Sequence, residues 1–262
     1  MTRPIRSSVQ ITLATWKALF LREAVTRLAA GRAAWVWLLF EPLAYLIFIM
    51  TLFGFVYHKM VGGVDGAMFV VTGLLGFYFA RNTFLRSMEA IHANGALFTY
   101  RQVKPIDTVL VRAALEGFLN LLSAVLILAG ASLFHYDVLP DDPLLVMATV
   151  FGLWLCGLGL GLILSAATKL VAELAKVINI LITPLYFISG VMIPASTIPQ
   201  PYRDYLLLNP FLHGLEILRG AYFSHFHAVP EASLAYVYGF ALVAVFLGLS
   251  LHLRFSRQLV AE

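Results

Sequence analysis

Charge is the scarcest resource in this sequence. Asp, Glu, Lys and Arg make up only 12% of 262 residues, against 61% hydrophobic, a composition that soluble domains do not use and that marks a membrane protein. Cysteine occurs once, as Cys156 inside an apolar run. That excludes a disulfide framework and reads as a small core residue. Phosphate-binding loops are missing too. Lys17, Lys59, Lys104, Lys169 and Lys176 are followed by Ala18, Met60, Pro105, Leu170 and Val177, so none completes G-x-x-x-x-G-K-[ST], and the chain is not expected to hydrolyse ATP by itself. There is no H-E-x-x-H or G-x-S-x-G. His225 and His227 form a doublet without a third ligand, too few for zinc. Asp137, Asp141 and Asp142 stand beside prolines and read as turn formers. The first 32 residues hold no apolar core ending in small residues, so no signal peptide is expected and the start of the chain is expected to stay in the cytoplasm.

What the chain does have is apolar length. A bilayer core needs about 20 mostly apolar residues per helix, and six runs qualify: Ala33 to Tyr57, Gly66 to Phe84, Ala113 to Phe134, Leu144 to Thr168, Val177 to Pro194 and Ala232 to Leu253. In the second run Arg81 must snorkel, pair or mark the end of the span. Orientation follows from basic residues, which are retained on the cytoplasmic side. With both termini inside, fifteen of the 18 Lys and Arg fall on that side, leaving Lys59, Arg203 and Arg219 outside. The net charge of +4 is therefore a signal of topology and of contact with anionic lipid, and nucleic acid is not an expected partner.

Three segments between the runs carry pattern. Before the first, Leu13, Trp16 and Phe20 share a helical face flanked by Leu21, Val25 and Leu28, with Lys17, Arg22, Glu23 and Arg27 mostly elsewhere, which suits a helix lying in the membrane interface; a helix packed on a partner subunit is the other reading. Between the second and third, Arg86 to Ala93 can form two helical turns capped at Asn94-Gly95, with Leu97, Phe98 and Tyr100 following as exposed positions, a knob for a soluble partner. The third is Thr183 to Pro210, which begins like a span and breaks its own pattern. Pro184 kinks it, Ser189-Gly190 loosens it and Pro194 stops it while the chain is still apolar. The residues from Pro194 to Glu231 hold too many aromatics and leucines for a watery loop, so two short re-entrant helices with Asn209-Pro210 between them are expected, forming an outer gate. Glu41 and Glu116 are acids within apolar runs, with pairing to Arg32, Arg112 or a helix N-terminus as their structural reading. Gly157 and Gly161 form a G-x-x-x-G that lets helices approach closely.

The stretch PLYFISGVMIP followed by NPFLHGLEILRGAYF, in a six-span all-α chain with an N-terminal interface helix, resembles the permease subunit of type-2 ABC exporters. The second motif is similar in form to bacterial capsular-polysaccharide permeases, with O-antigen permeases next nearest. The likeness covers nearly the whole chain in topology, its specific motifs about residues 183–221. It implies a homodimer working with two ATPase subunits that bind ATP and Mg, with no cofactor in this chain, and a layout of a cytoplasmic segment (1–32), a six-span domain (33–253) and a cytoplasmic tail (254–262) in the bacterial inner membrane. It places Pro184, Ser189, Gly190, Pro194, Asn209, Pro210, His213, Glu216 and Arg219 at the outer gate. It makes residues 86–100 the coupling helix, with Arg86, Glu89, Ile91, His92, Asn94, Phe98 and Tyr100 toward the ATPase. An extended glycan needs stacking surfaces, so Tyr45, Phe48, Phe77, Tyr78, Tyr186 and Phe187 are the expected conduit lining, with Arg81 attracting an acidic polymer and Arg203 and Arg219 assisting. Periplasmic and outer-membrane export proteins are further expected partners. Alternatives are an O-antigen or teichoic-acid-type glycan exporter, a small-amphiphile exporter of the same fold, a membrane enzyme acting on lipid-linked glycans, and a secondary transporter suggested by the faint echo of PLAYLIFIM in PLYFISGVM.

Overall fold

The computed structural model describes residues 7–28, 44, 47, 48, 51 and 62–260, and these are all-helical. The expected first span, with Glu41 and Tyr45, falls almost wholly outside the described residues. In chain order the α-helices are α1 (Ser8–Leu28), α2 (Gly66–Met88), α3 (Ala90–Ala93), α4 (Pro105–Leu133), α5 (Pro143–Leu170), α6 (Leu174–Ile188), α7 (Tyr202–Leu206), α8 (Pro210–Tyr222), α9 (Leu234–Arg254) and α10 (Ser256–Val260). Four of them, α2, α4, α5 and α9, are 21 to 29 residues long and apolar enough to cross a bilayer.

Most helix starts are written into the sequence. Ser7 and Gln10 exchange a side chain-to-backbone pair at the head of α1, with Gln10 Oε1 accepting from Ser7 N at 3.1 Å and Ser7 Oγ accepting from Gln10 N at 3.3 Å, a reciprocal cap of the kind that satisfies orphan donors. Asp65, Asp142, Asn209 and Ser233 cap α2, α5, α8 and α9 with their side-chain oxygens, and Pro105, Pro143 and Pro210 sit in first turns that need no N–H. Asp142, a turn residue by its sequence context, thus becomes the cap of a span.

The bundle is centred on α5, which packs against α2, α9 and α8. Close packing is possible because a Cβ on Gly157 would lie 2.5 Å from the Ala80 carbonyl oxygen and one on Gly161 2.5 Å from Ser87 Cβ, both on α2, while one on Gly159 would lie 2.7 Å from Ala244 Cβ on α9. The G-x-x-x-G pair serves α2 and the glycine between serves the opposite neighbour, the small-residue packing that bilayers favour.

Two expected boundaries shift. Arg81 does not end its helix: α2 runs on to Met88, with the Arg81 guanidinium 5.6 Å from the Tyr78 ring centre and bonded to Asn82 Oδ1 at 3.2 Å. The fifth run, expected to Pro194, is helical only to Ile188, for 15 residues. Gly190 then takes a left-handed φ of 73°, and the apolar residues that follow include the buried Val191 and Ala195. A buried loop and a buried helix have the same composition, so hydropathy could not separate them.

Candidate functional site

Helix α8 organises the region after the fifth run. Eleven of its 13 residues are buried, so it is a core element and not a surface lip. Leu212, Leu215 and Leu218 pack into the apolar interior, and the polar residues do a different job. His213, Glu216, Arg219 and Tyr222 recur every third position. Each step turns the direction of projection by about 60° as the helix climbs, so the four side chains sweep halfway round it and reach four different stretches of backbone.

His213 Nδ1 accepts from the Ser233 N–H at 3.0 Å, which fixes the proton on Nε2, and Nε2 donates to the Leu207 carbonyl at 2.7 Å. One neutral imidazole thus joins the turn before α8 to the start of α9. Glu216 accepts from Ala195 N and from Val229 N, each at 3.2 Å, one with each carboxylate oxygen. Arg219 is wholly buried; its Nη1 donates to Gly190 O at 2.8 Å, Nη2 to Val191 O at 2.6 Å and Nε to Phe69 O at 3.3 Å, and the guanidinium carbon lies 3.6 Å from the Phe69 ring centre. The Tyr222 hydroxyl donates to the Val138 carbonyl. The bonds of the Glu216 carboxylate and the Arg219 guanidinium are charge-assisted and each worth about 1.5–3 kcal/mol, which offsets the cost of holding a charge out of water.

Two further residues complete the fastening. A Cβ on Gly73 would lie 2.1 Å from Arg219 Nη2 and 2.8 Å from the Val191 oxygen, so only glycine leaves room for the guanidinium there. Asn209, besides capping α8, donates from Nδ2 to Ser189 Oγ at 2.9 Å, and Ser189 Oγ donates to Leu185 O at 2.6 Å. The end of α6 and the start of α8 are thereby held together. Of the residues assigned to the gate, Ser189, Gly190, Asn209, Pro210, His213, Glu216 and Arg219 converge on this one assembly, Pro194 leads into the turn whose Ala195 N–H Glu216 binds, and Pro184 lies inside α6. Gly73 and Tyr222 were not among the expected residues. Tyr222 had a signal, as the fourth step of the same three-residue series; Gly73, distant in sequence, had none.

The other expected residues divide. Phe77 is 1% exposed and is enclosed edge-on by Tyr186 at 5.6 Å and Phe211 at 6.2 Å between ring centres; it backs Tyr186 and offers no surface of its own. Arg219 is likewise committed to carbonyls and is not open to a polymer, and Arg203 lies 3.4 Å from Glu231. Phe48 and Phe187 are well exposed, while Tyr78, Arg81 and Tyr186 are half-buried. No residue of α6 is buried, and Val177, Ile180, Leu181, Phe187 and Ile188 present an apolar face.

On the far side of the bundle, residues 86–100 form the end of α2, the single turn α3 and a 3₁₀ turn over Gly95–Thr99. Ile91 faces inward, buried with Val109, Ala113 and Leu162, and Asn94 is buried, donating to Ala90 O at 2.9 Å and accepting from Arg22 of α1 at 3.0 Å. Phe98 is half-buried, whereas Arg86, Glu89, His92 and Tyr100 are exposed. Helix α1 lies against α4 through Trp16 Nε1 to Asp107 at 2.8 Å, Arg112 Nε 2.7 Å from Glu23 and the Arg27–Glu116 ion pair. Trp16, Glu23 and Arg27 therefore share the packed stripe, and Glu116 finds a cation on α1 in Arg27; Arg32 lies outside the described residues.

The chain belongs to the ABC-2 type transporter family, whose model matches residues 14–223. It is similar to the polysialic acid transport protein KpsM of Escherichia coli, 36% identical over 252 residues, which are 94% of this chain and 95% of that protein. It is also similar to the capsule polysaccharide export inner-membrane proteins BexB of Haemophilus influenzae, 28% identical, and CtrC of Neisseria meningitidis serogroup A, 26% identical, each over 240 residues, 92% of this chain and 90% of theirs.

Proposed function

We propose that this chain is the membrane subunit of an ATP-driven exporter that carries lipid-linked capsular polysaccharide across the bacterial inner membrane. The observation behind the reading is the near end-to-end likeness to polysialic acid and capsule transport proteins of the inner membrane. Two copies of the chain enclose the conduit, and two separate ATPase subunits, binding ATP and Mg, supply the energy that a chain without a phosphate-binding loop cannot. Both termini lie in the cytoplasm, with residues 1–32 holding the interface helix, 33–253 six spans and 254–262 the tail.

In this reading the exposed Arg86, Glu89, His92 and Tyr100 meet the ATPase, and Ile91 and Asn94 hold their loop rigid from behind. Closure of the ATPases pushes the loop and α1 as one body, because Arg22, Glu23, Arg27 and Trp16 tie α1 to the loop and to α4. The conduit is lined by Tyr45, Phe48, Tyr78, Arg81, Tyr186 and Phe187, with Phe77 as backing. Aromatic faces stack on sugar rings without gripping them, and Arg81 draws an acidic polymer by charge. The segment from Ser189 through α8 dips into the outer leaflet as the gate, and periplasmic and outer-membrane proteins take the polymer onward. The test is deletion of the gene with and without restoration of the intact protein, measuring acidic polysaccharide outside and inside the cell. Polymer lost from the surface and accumulated inside is expected; normal surface polymer would remove the capsule reading and leave a small amphiphile or another glycolipid as cargo.

A further inference from the structure

A groove of about 180 Å³ runs between α2, α4 and α5, with α8 as its floor. Its inner wall is the buried Ala124 and Leu218, with the half-buried Leu75 and Val150 beside them. Two residues along it carry hydroxyls, and both are turned away: Thr72 Oγ1 donates to the Met68 carbonyl at 2.8 Å and Tyr222 to that of Val138. The groove therefore offers no polar partner, and a water inside would forfeit its hydrogen bonds. Its mouth opens between Leu121 and Val125 of α4 and Met147 of α5, which are 55%, 56% and 69% exposed. These helices span the bilayer, so the mouth is continuous with the surface that hydrocarbon already covers, and an apolar void there gains dispersion contacts only if filled by something apolar.

We propose that this groove is a binding site for one fatty acyl chain of a bilayer phospholipid, seated against the back of the gate helix. The occupant is set by what surrounds the mouth, lipid tails, and by the complete absence of polar surface within. Because Leu218 and Tyr222 belong to α8, the chain acts as a wedge against one face of the same helix whose other faces carry Glu216 and Arg219. The site does not depend on the identity of the exported polymer, and its failure would leave the export reading untouched.

The test uses the full chain in vesicles of phosphatidylethanolamine and phosphatidylglycerol, without ATP or polymer, containing a small fraction of phosphatidylethanolamine with a diazirine in mid-acyl chain. After illumination the labelled residues are mapped by peptide mass spectrometry. Label on the buried Ala124 or Leu218 is expected, falling several-fold in the groove-filling variants Val150→Phe and Ala124→Leu while label on the outward Phe118 and Phe246 stays constant. Label confined to such outward residues in the wild-type protein would overturn the proposal, and that result needs no variant to fold. Inner-wall label that is undiminished in both folded variants would overturn it as well. So would a Val125→Cys protein that forms a disulfide with its counterpart in a second copy while the inner wall stays unlabelled.

Discussion

At the scale of single residues, Arg219 and Gly73 form a pair that neither could form alone. The guanidinium reaches the carbonyls of Gly190, Val191 and Phe69 only because no Cβ stands at position 73. Gly73→Ala should therefore mimic loss of the arginine. Displacing a buried charge from its partners costs about 3–5 kcal/mol, so a marked fall in thermal midpoint of the purified protein is expected, together with loss of surface polymer. Arg219→Lys should lose most of the same stability despite keeping the charge, since an ammonium cannot span three carbonyls as a planar fork does. A lysine variant as stable as wild type would show that charge and not geometry matters. Glu216→Gln is milder: an amide still accepts with its oxygen but turns an NH₂ toward a backbone N–H, and leaving one buried donor unmatched costs about 1–3 kcal/mol. Its thermal midpoint should fall between those of wild type and Gly73→Ala.

At the scale of elements, the break after α6 rests on Gly190. Its φ of 73° strains any other L-residue, and a Cβ there would meet Leu212 Cδ1 at 2.7 Å. Gly190→Ala should destabilise by about 1–2 kcal/mol from backbone conformation alone, read as a lowered thermal midpoint, with packing strain added. The loop of residues 86–100 predicts a split. Tyr100→Ala, at a side chain 60% exposed, should leave thermal stability unchanged and reduce co-purification of the ATPase several-fold; Ile91→Asp, at a side chain 1% exposed, should prevent accumulation of folded protein. Equal effects of both on folding would remove the coupling assignment. These two elements also show what a sequence can disclose. The caps Asp65 and Ser233 were not singled out in the sequence; the start of α8 was legible, because Asn209-Pro210 reads as a break between helices, and so, through the family resemblance alone, were His213, Glu216 and Arg219. The end of α6 and the inward turn of Ile91 were not, because both depend on which distant segment lies across from them.

At the scale of the molecule, α6 stands apart: an apolar helix of 15 residues with none buried, beside α2 and α5, in which half or more of the apolar stretch is buried. If two copies enclose a conduit, this face meets its counterpart or the cargo. Cysteines placed one at a time at Ile180, Leu181 and Phe187, in a Cys156→Ser background, should give a crosslinked dimer at one position or more in membranes. Failure at every position along the face would count against the shared conduit.

The ladder on α8 has a consequence for how such proteins diversify. His213, Glu216, Arg219 and Tyr222 all grip backbone atoms, of residues 207, 233, 195, 229, 190, 191, 69 and 138, and a backbone N–H or carbonyl is the same whatever side chain it carries. Outward-facing side chains such as Ile193, Tyr202 and Tyr205 can therefore be exchanged freely while the frame beneath them stays put. On the proposed gate reading a lineage would retune the rim for a new sugar at those positions, and a library built on them would explore cargo preference without first having to survive a loss of fold.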